Sequence, residues 1–356
     1  MSFNRKPVEE LYFDFVVVGG GLAGLCCAIA AARQGVKTAI IQDRPVFGGN
    51  SSSEIRVVPF GSANFSAWAR ETGIVEEIIL EDRAHNHIDF FEHGMINRNY
   101  DMLLHEYVRR EPNLTPFLNT SVRGVHSEPL DPEDEEGPRR VIAVHGSQLG
   151  SEKELVFHAR QFADCTGDGT IGFLAGADWR MGREARSEFD ENMAPTEADD
   201  VTMGATITMR ARDIGQPVPY EPPPWVAIYK TQADIGPERK VAHIKRPLYG
   251  GYWWLEVGYP PYHQIDQTGE TRDELLSHVL GVWNWIKNYS PDKELAKTYV
   301  LDWIGVIPGK RESRRLVGDV LVTENDIHVD PQWPDRICIA GWTIDLHIKG
   351  GILNKD

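Results

Sequence analysis

Cysteine is scarce and poorly placed for either of its structural uses. Of the four in this chain, Cys26 and Cys27 are adjacent inside an apolar segment, while Cys165 and Cys338 stand alone. That spacing makes neither a disulfide framework nor a metal-ligand set. It reads as small buried hydrophobes in a reducing compartment. Long apolar runs are missing as well: no stretch reaches the about 18 consecutive apolar residues needed to cross a bilayer. The opening MSFNRKPVEELYFDF has no apolar core followed by a small-residue cleavage site, so a cytoplasmic location is expected. Basic residues are in the minority, 37 Lys and Arg against 53 Asp and Glu, for a net charge of −16. Such a chain repels nucleic acid and anionic membranes at long range, so neither is expected as a partner. Internal repeats are absent. The Asn-x-Ser/Thr triplets at Asn50, Asn119 and Asn288 carry no meaning without secretion.

What is present is enough apolar material, 41% of 356 residues, for one large domain or two ordinary ones. Tyr12 to Val18 is a β-rich run, Leu22 to Arg33 an Ala-rich helical segment, and Lys37 to Ile41 a second strand, which together read as a β-α-β unit of a parallel sheet. Between the first strand and the helix lie Gly19, Gly21 and Gly24 in the spacing G-x-G-x-x-G. The first glycine permits a tight turn, the second lets backbone approach a pyrophosphate, and the third lets helix and strand pack closely. Gly20, Leu22 and Ala23 complete that cradle.

At the end of the second strand an acceptor for ribose hydroxyls is expected, and the sequence offers Gln42 and then Asp43. Successive strand side chains point to opposite faces, so one of the two is the main partner. Strand alignment favours Gln42. Arg44 could instead neutralise a 2′-phosphate, which would favour NADP. Gly48 and Gly49, followed by Asn50, leave backbone N–H groups accessible, and Cys165-Thr166-Gly167 closes a later strand in a glycine turn. Both features resemble segments of two-dinucleotide-binding flavoproteins, and that resemblance tilts the reading from nicotinamide toward flavin.

Further along, 70–83 and 99–110 read as helices, and Leu114 to Leu118, Ser121 to Val125, Val141 to Val144, Glu154 to His158 and Gln161 to Cys165 as strands. The acidic stretch Ser127 to Arg140 reads as a solvated hairpin loop. After Gly176 the pattern changes, with PVPYEPPPW and YGGYWWLEVGYPPY concentrating proline and aromatics. Thr271 to Tyr289 and Lys293 to Trp303 are expected helices, and Arg336 to Ala340 an expected buried strand.

Candidate chemistry falls into several groups. Glu54 is a candidate base and Arg56 a candidate for orienting an anionic or polyhydroxylated substrate, with a structural ion pair, Glu54–Arg56 or similar, as the plainer alternative. Lys310, Arg311, Glu312, Arg314 and Arg315 form a dense cluster suited to a carboxylate, a phosphate or a domain-bridging network. His347, with Asp345 nearby, is a candidate acid/base. Trp253 and Trp254 could stack on sugar faces or fill a core. His85, His87 and His93 lack companion ligands, so no metal is expected.

Taken together, GGGLAG, QDRPVFGGNSSSEIR, RETGIVEEI, EPNLTPFLNTSV, ADCTGDGTIGFLAGADWRMGRE, GVWNWIKN, DWIGVIPGKRESRRLVGD and AGWTIDLH resemble a bacterial family of FAD-dependent oxidoreductases with a glutathione-reductase-like, two-dinucleotide-binding FAD domain. The resemblance implies an α/β, Rossmann-like FAD/NAD(P)-binding domain with an inserted β-rich substrate domain. On that basis 1–177 is the first part of the FAD domain, 178–300 the insert, and 301–356 a return to the FAD domain. It implies noncovalent FAD held by Gly19 to Gly24, Gln42, Asp43, Arg44, Gly48, Gly49, Asn50, Val122, Cys165, Thr166 and Gly167. It also implies a redox reaction on a small polar organic substrate, with sugar-like compounds a recurrent suggestion. Family members continue into another strand and a long helix beyond DLH, so this chain is expected to be truncated relative to them. A homo-oligomer or a completing partner chain is the corresponding expectation. The alternatives are an NAD(P)-dependent dehydrogenase and an inactive nucleotide-binding remnant or partner subunit.

Overall fold

The computed structural model describes residues 8–57, 59, 72–85, 99–134, 137–236, 255–337 and 344–354. In the first half the order is β1 (Glu9–Tyr12), β2 (Phe15–Val18), α1 (Leu22–Arg33), β3 (Thr38–Ile41), α2 (Ile74–Ala84), α3 (Tyr100–Arg110), β4 (Leu114–Phe117), β5 (Thr120–Pro129), β6 (Arg139–Gln148), β7 (Lys153–His158), β8 (Gln161–Asp164) and α4 (Thr170–Leu174). The run expected as one strand from Tyr12 to Val18 is in fact two. Phe13 donates to the His158 carbonyl and Asp14 to the Lys37 carbonyl, so the chain changes sheets between them.

The central sheet is parallel, in the order β4-β3-β2-β8, with Val16 opposite Ala39 on one side and Phe162 on the other. Its inner strands are apolar throughout because both faces are covered. Val17 and Ile40 face a helical layer of Leu25, Ile29, Leu104 and Val108. Val16, Val18, Ala39 and Ile41 face the other way, onto Val144, Leu155 and Phe157. Those last residues come from a second sheet, β1-β7-β6-β5, in which β5, β6 and β7 run antiparallel. Two-residue periodicity thus sorts one strand's side chains between a helix layer and a sheet layer. The outcome is a mixed α/β, Rossmann-like architecture.

The second half contains β9 (Trp179–Arg180), α5 (Arg186–Phe189), β10 (Thr202–Ile207), β11 (Met209–Asp213), α6 (Gln232–Ile235), β12 (Leu255–Tyr259), α7 (Thr268–Asn288), β13 (Tyr299–Ile304), β14 (Arg315–Leu316) and α8 (Glu324–Val329). β10 pairs with β12, and β11 with β13. These strands share a separate core with α7, whose Leu275, Val279, Val282, Trp283 and Ile286 fall at helical spacing on a buried face. The helix expected over Thr271 to Tyr289 is thus present as Thr268–Asn288, and its 21 residues supply much of the core of the segment expected to be β-rich.

Lys293 to Trp303 is not a helix. After Pro291 the chain makes turns, and Tyr299–Ile304 pairs antiparallel with Met209–Asp213. The buried Lys287 ammonium enforces this path by donating to the carbonyls of Ala296 (2.7 Å), Lys297 (3.1 Å) and Tyr299 (2.8 Å). Tyr299 to Ile304 therefore belongs to the second core, and among the described residues no strand after 300 joins the parallel sheet. Nor is Arg336 to Ala340 a buried strand where it is described, since Ile337 is 96% exposed. Cys338 to Ala340 lie outside the described residues, as do His87, His93, Trp253 and Trp254.

Candidate functional site: a glycine cradle and an adjoining cavity

The three motif glycines do different jobs. Gly19 has φ +105°, and a Cβ there would stand 2.1 Å from the Cys165 carbonyl oxygen; one at Gly24 would stand 1.8 Å from that of Gly19. Both are demanded by close packing. Gly21 is not: a Cβ on it would meet nothing nearer than the Gly49 Cα at 3.9 Å. Gly21 is the N-cap of α1, no side chain caps that terminus, and its first turn carries no acid. Leu22 and Ala23 sit in that turn, where N–H groups have no intrahelical acceptor. An open glycine face, an uncapped helix start and no competing carboxylate are what a diphosphate requires.

The loop after β3 docks directly on the cradle. Gly48 donates to the Gly20 carbonyl at 2.8 Å, and Gly21 and Gly48 form a parallel bridge. Gln42 lies inside this contact. Its Oε1 accepts the Gly20 N–H at 2.8 Å, its Nε2 donates to the Val46 carbonyl at 3.4 Å, and the residue is 5% exposed. Its amide carbonyl is therefore committed to bracing the turn, not offered to a ribose. Asp43, on the opposite side of the strand, is exposed.

Arg44 pairs with Glu54 at 3.0 Å, which neutralises the charge that would have selected a 2′-phosphate and also engages the candidate base. The structural ion pair weighed for Glu54 is thus made with Arg44 and not with Arg56. The Arg56 guanidinium lies 4.2 Å from the centre of the Trp303 ring and its Nε donates to the Ser53 carbonyl at 3.3 Å. Asn50 donates to the Lys310 carbonyl at 2.9 Å, tying this loop to the C-terminal third of the chain. Val122 lies opposite Gly146 in the antiparallel ladder and packs with the Val16 cluster.

The Cys165-Thr166-Gly167 turn is organised by Asp164. One carboxylate oxygen accepts the Thr166 N–H (3.1 Å) and hydroxyl (2.7 Å), and the other accepts the N–H groups of Ile171 (2.7 Å) and Gly172 (3.0 Å). Cys165 donates its N–H to the Val18 carbonyl at 2.7 Å, so this turn abuts the first motif glycine. Gly167 has φ +84° with open space where a Cβ would be.

Gly167 is also part of the wall of a cavity of about 470 Å³, together with Arg183, Arg311, Ser313, Arg314 and His347. The segment 310–314 is strapped across the turn. Lys310 pairs with the Asp168 carboxylate, Ser313 donates to Asp168 Oδ1 at 2.8 Å, and the Arg314 Nε donates to the Asp168 carbonyl at 3.0 Å. His347 hydrogen-bonds Glu256 through Nδ1 at 2.8 Å and Asp345 through Nε2 at 3.0 Å, with Arg311 Nη1 3.0 Å from Nε2. The Glu256 carboxylate holds its pKa above the ordinary histidine value, outweighing burial and the nearby Arg311. A carboxylate at each ring nitrogen stabilises the imidazolium relative to the neutral ring. The structure thus separates the three catalytic candidates: Glu54 with Arg44, Arg56 with Trp303, and His347 in the cavity. Glu256 and Asp168 escaped the sequence reading. Asp168 had a local signal, its place inside the CTGDG turn, whereas Glu256 had none.

A strand, glycine turn and open helix terminus, backed by two further glycine turns, define a dinucleotide-binding oxidoreductase fold. The chain belongs to the FAD dependent oxidoreductase family, whose model matches residues 14–356. It is an enzyme class whose cofactor is FAD, and the cradle described above fits that diphosphate. Among curated proteins, NADH dehydrogenase of Ferdinandcohnia aciditolerans is 39% identical over 69 residues, which is 19% of this chain and 13% of that protein. Glycerol-3-phosphate dehydrogenase 2 of Mycobacterium bovis is 36% identical over 81 residues, 23% of this chain and 13% of the relative. The matched segment is thus a small part of each relative. A solved geranylgeranyl bacteriochlorophyll reductase-like protein from Thermoplasma acidophilum is 16% identical with a TM-score of 0.36, covering 60% of this chain and 49% of that one.

Proposed function

We propose that this chain is an FAD-dependent oxidoreductase that converts a small polar organic compound, of the hydroxylated or sugar-like kind, in the cavity beside Gly167. The observation that carries this reading is that one turn serves both places: Gly167 belongs to the glycine turn behind the cradle and to the cavity wall. In this reading the diphosphate rests on Gly21, Leu22 and Ala23, with Gly48 and Gly49 facing it, and Asp43 takes the ribose role. Residues around the second core form the substrate domain.

FAD, when bound, supplies a two-electron acceptor or donor. The protein supplies a site for the accompanying proton. His347, oriented by Glu256, donates it to a developing hydroxyl in the reductive direction and, once deprotonated, accepts it in the oxidative one. Asp345 is 57% exposed at its side chain and is the partner a substrate oxygen can displace from Nε2.

The test is spectroscopic. The purified protein should show visible flavin absorption that bleaches anaerobically with a compound from a panel of polyols, sugars and hydroxy acids. A colourless protein that binds NADPH and not FAD would overturn the proposal.

A further inference from the structure

Four arginines line the cavity, and three of them are matched by carboxylates. Arg183 pairs with Asp199, Arg311 lies 3.4 Å from Glu256, and Arg315 bonds Glu312 and Glu184 at 2.7 Å each. Arg314 differs. Its guanidinium carbon lies 4.0 Å from the centre of the Phe173 ring and 5.9 Å from that of Trp179, and its Nε is taken by the Asp168 carbonyl. Among the described residues no carboxylate pairs with it. Stacking and one backbone bond fix the plane of the group while leaving the charge uncompensated. A guanidinium fixed in this way presents two parallel donors and binds a carboxylate with defined orientation.

We propose that Arg314 is the anion anchor of this cavity and that the compound bound there carries a terminal carboxylate, as a small hydroxy acid or sugar acid does. This rests on the cavity being the substrate site. The charge balance selects a carboxylate over a phosphate. Glu312 and Asp345 line the same cavity, with Glu256 and Glu184 directly behind arginines that already match them. Arg183, Arg311, Arg314, Arg315 and a protonated His347 equal in number the carboxylates Asp199, Glu256, Glu312, Glu184 and Asp345, so the surroundings are neutral and Arg314 offers a local site for one monoanion, whereas a phosphate dianion would bring excess negative charge into them. The cavity volume lies in the ordinary range for a small ligand.

The experiment is calorimetric titration of the FAD-loaded protein, at constant ionic strength, with sodium gluconate, with sorbitol as a neutral probe of the same carbon-chain length, and with inorganic phosphate. Gluconate should bind about tenfold or more tightly than sorbitol. Arg314→Met, which keeps apolar contact with Phe173, should erase that preference, and Arg314→Lys should restore part of it. A thermal melt of each variant establishes that it is folded. Equal binding of gluconate and sorbitol, tighter binding of phosphate than gluconate, or an unchanged preference in a folded Arg314→Met would each overturn the anchor. Anaerobic bleaching separates this inference from the reading beneath it. Arg314-dependent gluconate binding without bleaching by any panel compound supports the anchor and counts against the redox role of the cavity. Bleaching by a neutral polyol with no carboxylate preference does the reverse.

Discussion

The side-chain carbonyl of Gln42 accepts the backbone N–H of Gly20 across 2.8 Å, so the residue at the end of the second parallel strand reaches back to hold the glycine turn that follows the first. Replacing it with leucine leaves a buried N–H without an acceptor. Gln42→Leu should cost about 1–3 kcal/mol of stability and weaken FAD binding with it. Denaturant unfolding of the FAD-free protein, alongside FAD titration, measures both. Asp43→Asn should instead weaken FAD binding with little change in stability, because that side chain is exposed.

The glycines of the cradle should divide into two classes. Gly24→Ala places a methyl 1.8 Å from the Gly19 oxygen and should impair folding of the first half. Gly21→Ala meets nothing within 3.9 Å and has φ −64°, so the FAD-free protein should change by less than about 1 kcal/mol while FAD affinity falls. Thermal melts and flavin titration of the two variants distinguish packing from ligand approach.

In the proposed oxidation His347 must be neutral to accept the proton, and its pKa is raised above the ordinary value of about 6.5. The rate of flavin reduction should therefore rise with pH through a midpoint above that value, and Glu256→Gln should move the midpoint down. The same pair makes a pH-dependent contribution to stability. Because the folded-state pKa is raised, that contribution is full below the unfolded histidine pKa and is lost as pH rises through the folded one. Rapid-mixing kinetics and unfolding across pH check the two statements separately.

Lys287→Met should destabilise the second core by about 1–3 kcal/mol or more, because the carbonyls of Ala296, Lys297 and Tyr299 lose a shared donor. Methionine retains the length of the side chain, so the loss reports the hydrogen bonds and not a cavity. Urea unfolding measures it.

What the sequence made legible was local. Gly19, Gly21 and Gly24 stand between a strand and a helix within a few residues of one another, and the unbroken apolar run of Val16, Val17 and Val18 marks a strand without a structure. The orientation of Gln42 was not legible, because a shift of one residue along a strand exchanges the buried and exposed faces. Tyr299 to Trp303 read as the end of a helix because its apolar residues fit either period over so short a span. Its strand state depends on Met209–Asp213, far away in sequence, and on the Lys287 bonds. The partner of His347 lies 91 positions away in Glu256, and no local pattern announces a contact of that span.

Asp168 holds two stretches of chain together, taking Lys310 and Ser313 on its carboxylate and Arg314 on its carbonyl. The same short turn begins at Cys165, against which Gly19 is packed. The cradle and the cavity wall therefore share these few backbone atoms. Gluconate titration with and without FAD, and FAD titration with and without gluconate, should show the same fold-change in affinity. Equal affinities in each pair of titrations would mean that the shared turn transmits nothing between the two compartments.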